Sequence, residues 1–322
     1  MSTDIGIGDI HCLLPDRTVK VTDLPEFELL TPEAAEFVRQ SGIDTVGEFV
    51  DAPAAELAAR AVHGLRQARP AEPDVLLVVG SRAPDVLIGS DASRIQADAR
   101  LPSTFAFSID GLGCTGSSAG WALARELLLS DPGRDSVMVT HASRPAGVDR
   151  VRFPVTVIGD GAYAMTMVRG GRPALRGHRM ETDGAFHDLF VIDYKQSPWY
   201  EWREECRQPD RYRMELALHS RLRLSRMLDA VLAEAGLRRD QVAATLMQNV
   251  TASAFVFYET LLGVPIHPVC RTHLAAYGHL GAMDVVLNLQ RLIESGDVRT
   301  GDHVVVLNNS PTAAWSVTLW EM

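Results

Sequence analysis

The second half of this chain replays the element order of the first, and few folds accommodate such a repeat. In the first half the apolar run DVLLVVGS, 74–81, reads as a strand buried on both faces. A helical stretch at 92–99, a buried strand at 105–109, a glycine turn, a helix over 114–129 and strands at 136–140 and 155–158 follow. The second half gives a strand at 244–248, a helix at 252–262, a strand at 267–272, the turn AAYGH, a helix over 280–293 and strands at 303–307 and 313–319. Alternating apolar strands and helices predict an α/β fold with mainly parallel sheets covered by helices. With 322 residues the chain has room for two such halves, 1–170 and 171–322, around a shared core.

Local signals fill in the rest. Ile5, Ile7 and Ile10 alternate with small or polar neighbours and predict a first strand. Thr31 as N-cap, Pro32 at the first helical position and Gly42 at the end bound a helix, and a second covers 54–68. Gly159-Asp160-Gly161-Ala162 predicts the turn of a hairpin between 155–158 and 163–168. The aromatic and charged stretch SPWYEWREECRQPDRYR, 197–213, has no clear period and reads as an insertion or lid. The helix from about 212 to 235 carries Arg221, Arg223 and Arg226, which form either a local basic face or a solvated one.

Chemistry is concentrated in FAFSIDGLGCTGSSAGWALARELLL, 105–129. A strand, a turn through Gly111, Leu112 and Gly113, and a helix start deliver Cys114 to the positive end of a helix, where a thiol is shifted towards thiolate. The small side chains of 115–120 let backbone or a substrate arm come close. In the repeat, His279 holds the place that Cys114 holds in the first half, near the start of the central helix. If the halves pack about a pseudo-twofold axis, thiol and imidazole share one site. His141, His267 and His273 have no such placement and are structural or of unassigned role.

Composition sets limits. Hydrophobic content of 46% and charged content of 22% are those of a globular domain, and a formal charge of −10 excludes generic binding to nucleic acid or an anionic membrane. No run approaches the ~18 apolar residues of a membrane span, and no basic start precedes an apolar segment, so a cytoplasmic location is expected. Cys12, Cys114, Cys206 and Cys270 lack the spacing of a disulfide framework or a zinc site, which predicts reduced thiols and no metal.

The cysteine turn GLGCTGSSAG, the GDGA turn at 159–162, the YGHLGA turn at 277–282 and the closing strand pair VVVLNNSPTAAWSVTL together resemble the thiolase-fold condensing enzymes. In length and layout the chain is most similar to 3-oxoacyl-(acyl-carrier-protein) synthase III. The resemblance implies a five-layered αβαβα fold of two pseudo-symmetric halves, a homodimer, and acyl transfer through a cysteine thioester. An acyl carrier protein is the implied partner, with acyl-carrier-protein or coenzyme A thioester as substrate and no resident cofactor. Two departures stand out. That synthase type uses Cys, His and Asn, but here an amide, Gln248 or Asn249, stands where histidine is expected, and His279 stands where asparagine is expected.

The implied roles follow. Cys114 attacks a thioester and holds the acyl group; His279 takes the thiol proton and then serves as base for the acceptor. Gln248 or Asn249 hydrogen-bonds a carbonyl oxygen, orients His279 or merely caps the strand end, and the N–H groups of Cys114 and of a residue near Ala313 form an oxyanion hole. Transfer of the acyl group to an alcohol, amine or thiol, in fatty-acid or polyketide-type specialised metabolism, is the expected activity. Decarboxylative condensation and a non-catalytic partner subunit are the alternatives.

Overall fold

The computed structural model describes residues 4–50, 52–80, 83–86, 88–192 and 195–322. Nine strands form its main sheet: β1 (Ile5–Leu13), β2 (Val75–Val79), β3 (Phe105–Ile109), β4 (Ser136–Ser143), β5 (Gly161–Arg169), β6 (Ala174–Thr182), β7 (Val242–Met247), β8 (His303–Ser310) and β9 (Ala314–Glu321). Ser81, assigned above to the second of these strands, lies outside the described residues. The strand order is β7-β8-β9-β6-β1-β5-β4-β2-β3.

The sheet is mixed rather than mainly parallel. Only β7/β8, β2/β3 and β2/β4 pair in parallel; the other neighbours are antiparallel. In the second half β8 runs into β9 through residues 311–313 alone, and so short a connection returns the chain antiparallel. The two halves meet where β1 pairs with β6 at a single position, Gly6 opposite Ala174. A side chain at Gly6 would run into the carbonyl groups of Gly171 and Pro173, so this seam requires glycine.

Helices supply the layers. α2 (Ala54–Ala68) and α3 (Asp91–Asp98) cover the outer face of the first half, and α5 (Ala217–Glu234) covers β6 and β9. Between the halves lie α4 (Gly116–Ser130), which touches β2, β4 and β5 on one side and β6 and β9 on the other, and α8 (Asp284–Ser295), which packs on β7 and β1. α1 (Pro32–Gln40), α6 (Ala252–Leu262) and α7 (Pro268–Tyr277) complete the set, with α6 against α5 and α7 against α8. The N-cap at Thr31 is made, its hydroxyl accepting from Ala34 N–H at 3.2 Å. No helix among the described residues is long and apolar enough to cross a membrane.

Three elements differ from the sequence expectation. The stretch 267–272 is helical: His267 caps α7 by accepting from Val269 N–H, Pro268 opens the helix, and Cys270, His273 and Leu274 are buried at helical spacing. The replayed strand shrinks to Ile266, which bridges to Thr245. β3 is an edge strand paired only with β2, and Phe105 is 67% exposed, so its apolar sequence is not explained by burial within one chain.

The GDGA segment is not a hairpin turn either. Thr156–Val157 pairs with Val151–Arg152, while β5 lies between β1 and β4. Asp160, fully buried, serves instead as a bidentate partner of Arg150, at 2.7 and 3.1 Å, and accepts from Phe49 N–H at 2.9 Å. Burial works against the Arg150 charge, yet Asp160 outweighs it and the guanidinium is held above its usual range. This buried pair fixes the segment that hooks His279 at both ends: His279 N–H donates to Val157 O at 2.9 Å, and Gly159 N–H donates to His279 O at 3.1 Å.

Candidate active site

Past β3 the chain reverses through Gly111 and Gly113, whose φ values of +80° and +52° lie in the left-handed region. A 3₁₀ turn, Gly113–Thr115, then runs straight into α4 and leaves Cys114 at its start, 4% exposed. The small residues that follow serve the fold itself. A Cβ on Gly116 would strike Val79, and one on Gly120 would press on Val139, so they let α4 lie close against β2 and β4.

His279 arrives the same way from the second half, just ahead of the 3₁₀ turn Gly281–Met283 that leads into α8. Its Nε2 lies 3.1 Å from Cys114 Sγ. Its Nδ1 lies 2.6 Å from Asp284 Oδ2. A carboxylate only accepts, so Nδ1 carries the proton donated to Asp284, and Nε2 is the atom left to exchange a proton with sulfur. Asp284 is fully buried and accepts two more hydrogen bonds, from Leu280 N–H at 2.8 Å and Asn249 N–H at 2.9 Å. Burial pushes the imidazole pKa down, but the sulfur on one side and the carboxylate on the other more than reverse this, raising it to about 10. Sulfur and carboxylate together favour the imidazolium form, and a cationic ring beside the sulfur in turn favours thiolate.

Sequence reasoning missed Asp284. The available signal was an acidic residue set among Met283, Val285, Val286, Leu287 and Leu289, where nothing but burial awaited it.

The two amide candidates part company. Gln248 lines a cavity together with Cys114 and His279, and its Nε2 donates to Asn309 O at 3.2 Å. Asn249 contributes its backbone N–H to Asp284, while its side-chain oxygen accepts from Asn288 Nδ2 at 2.9 Å, away from the sulfur. Asn288 also meets His273 Nδ1 at 2.7 Å, His267 caps α7, and His141 Nδ1 lies 3.0 Å from Val79 O. Asn308 was not singled out in the sequence; its Nδ2 donates to Cys114 O at 2.8 Å and fixes the backbone that carries the sulfur. The N–H of Ala313 donates to Ser310 O at 2.9 Å and is not available to an oxyanion.

Two cavities reach the sulfur. One, about 320 Å³, is walled by Val79, Ile109, Leu112, Phe190, Val191 and Ile192 among others. The second, about 350 Å³, holds His279 and Gln248 as well as Tyr212, Ser220 and Tyr258. The 197–213 stretch contributes Glu204 to both and Tyr212 and Arg213 to the second, so it does lie over the site. Of the three arginines on the following helix, Arg223 and Arg226 are paired with Glu181 and Asp183.

Residues 226–322 match the family model for the 3-oxoacyl-[acyl-carrier-protein] synthase III C-terminal region. A β-ketoacyl-[acyl-carrier-protein] synthase III from Synechocystis is 22% identical over 251 residues, 76% of this chain and 75% of the relative. The solved 3-oxoacyl-(acyl carrier protein) synthase III of Pseudomonas aeruginosa PAO1 superposes with a TM-score of 0.81 at 17% identity, over 99% of this chain and 98% of that one. A solved protein named ChlB3, an acyltransferase, superposes with a TM-score of 0.82 at 22% identity, over 99% and 98% of the two chains. The central position of α4 and α8, the layer order and these matches lead to one conclusion: the chain has the thiolase-like fold of these synthases, and its residues 226–322 are similar to their C-terminal region.

Proposed function

We propose that this protein is an acyltransferase of ketosynthase III type, which takes an acyl group from an acyl-carrier-protein or coenzyme A thioester onto Cys114 and passes it to an alcohol, amine or thiol. The observation that carries the reading is the carboxylate of Asp284 behind His279. A ring held by a carboxylate is a proton carrier, whereas decarboxylative condensation needs two donors on the enolate oxygen of the extender. Cys114 sulfur forms a bond to the thioester carbonyl carbon, the donor's own C–S bond breaks, and the departing thiolate takes the imidazolium proton. Neutral His279 then removes the acceptor's proton through Nε2; the new bond forms, the acyl–sulfur bond breaks, and the thiolate–imidazolium pair returns.

The test offers the protein an acyl thioester together with a malonyl thioester labelled in its free carboxyl group, with and without small nucleophilic acceptors. The expected result is an acyl-Cys114 species discharged by the acceptor, with the label retained. Stoichiometric release of labelled carbon dioxide, with a product two carbons longer, would replace transfer by condensation. Condensation is the second reading, favoured by Gln248 in the same cavity as Cys114 and His279 and by the names of the synthase relatives.

The proposal includes a homodimer paired along β3, because an exposed apolar edge strand is a template for another chain. A lysine at Phe105 is expected to convert a dimer to a monomer in light scattering. A wild-type mass of one chain would remove this part.

A further inference from the structure

Among the described residues the two cavities share three lining residues, Cys114, Glu204 and Pro311. His279 lines the second cavity and not the first. In the proposed transfer, on which this inference rests, the acceptor must touch His279 Nε2 and so approaches from the second cavity. The acyl chain on sulfur must leave that side clear and lie in the first. Whatever stands between the cavities therefore decides how much acyl group fits and keeps it off the acceptor's path.

Glu204 stands there. It reaches in from the segment that closes over the site, and that segment is tied down by Glu205–Cys206 pairing with Phe190–Val191 and by Trp202 Nε1 donating to Ser197 O at 2.9 Å. The Glu204 carboxylate is clamped by Arg152, whose side chain is only 5% exposed. A buried ion pair adds little net stability over apolar side chains of the same volume, so stability does not account for it. What the clamp does provide is a side chain held in one position on the lining that the two cavities share. Pro311, the other shared residue, is fixed by its ring.

We propose that Glu204, held by Arg152, is the specificity-determining wall between the acyl and acceptor cavities, and that it limits the acyl group carried on Cys114 to one that fills the first cavity alone. The test compares wild type, Glu204→Ala and the double variant Arg152→Met, Glu204→Ala, which leaves no unpaired guanidinium behind. Each is loaded with butyryl and decanoyl thioesters of N-acetylcysteamine, and adduct formation is followed by intact-protein mass. Removing the wall is expected to raise the decanoyl-to-butyryl rate ratio about tenfold in both variants. Partial unfolding lowers both rates together and leaves the ratio alone. Adducts that form with an unchanged ratio would overturn the wall while leaving acyl transfer standing. Wild type that takes up neither acyl group would overturn both.

Discussion

Alanine at Cys114 is expected to leave no acyl adduct on the chain, and alanine at His279 to slow acyl-enzyme formation by about three to four orders of magnitude. The two residues act as one unit across 3.1 Å, so the double variant should be no slower than the worse single one. At about 1.4 kcal/mol per tenfold, the His279 loss corresponds to roughly 4–5.5 kcal/mol of transition-state stabilisation. The pair is buried, with Cys114 at 4% and His279 at 1% exposure, and bulk water is a poor substitute for the missing ring. Single-turnover loading with an acyl thioester, read by intact mass, measures both effects. A His279→Ala variant that loads within tenfold of wild type would show that the sulfur needs no partner and would end the proposed proton path.

The fold was legible where the signal is local and periodic. Apolar runs such as 75–79, the Thr31-Pro32 helix start and the glycine turn before Cys114 each depend on neighbours within a few residues, and each forms as expected. The misread elements depend on partners far along the chain. Asp160 looks like turn chemistry until Arg150 and Phe49 close on it. HPVCRT is too short for its period to separate strand from helix, and the deciding signal was the His267 cap followed by Pro268. An apolar strand at the sheet edge looks the same in sequence as one at its centre, so the position of β3 was out of reach.

The site follows the same division. Cys114 and His279 could be placed because each sits at a helix start marked by glycines. Gln248 and Asn249 follow β7 directly, and which of them faces the cavity depends on α8, whose Asn288 captures Asn249. Asp284 stands in the first turn of a helix, where an acid is usually a dipole partner in solvent, so its sequence position does not mark it. Here the turn Gly281–Met283 folds the chain back so that the acid lies behind the histidine five residues earlier.

That placement makes Asp284→Asn the sharpest test of how the imidazole works. The asparagine keeps the volume, and its one oxygen can accept from Leu280 N–H in place of Oδ1, but its NH₂ then stands where Oδ2 took the hydrogen bonds of Nδ1–H and Asn249 N–H and can take neither. The ring is then driven to the other tautomer, with the proton on Nε2 facing sulfur and no base where one is needed. A drop of about two to four orders of magnitude in acyl transfer is expected. The pH dependence gives a second, independent readout. Burial alone pushes the His279 pKa down, and sulfur and carboxylate together lift it to about 10. With the carboxylate gone the pKa falls, so the imidazolium is lost from the alkaline side and survives only at lower pH. In wild type, iodoacetamide should therefore alkylate Cys114 faster at neutral pH than it does in Asp284→Asn. In Asp284→Asn the rate at neutral pH should fall and climb again only as the thiol ionises without help. Identical alkylation profiles in the two proteins would mean that the carboxylate is a packing feature, and the general-base role of His279 would lose its physical basis.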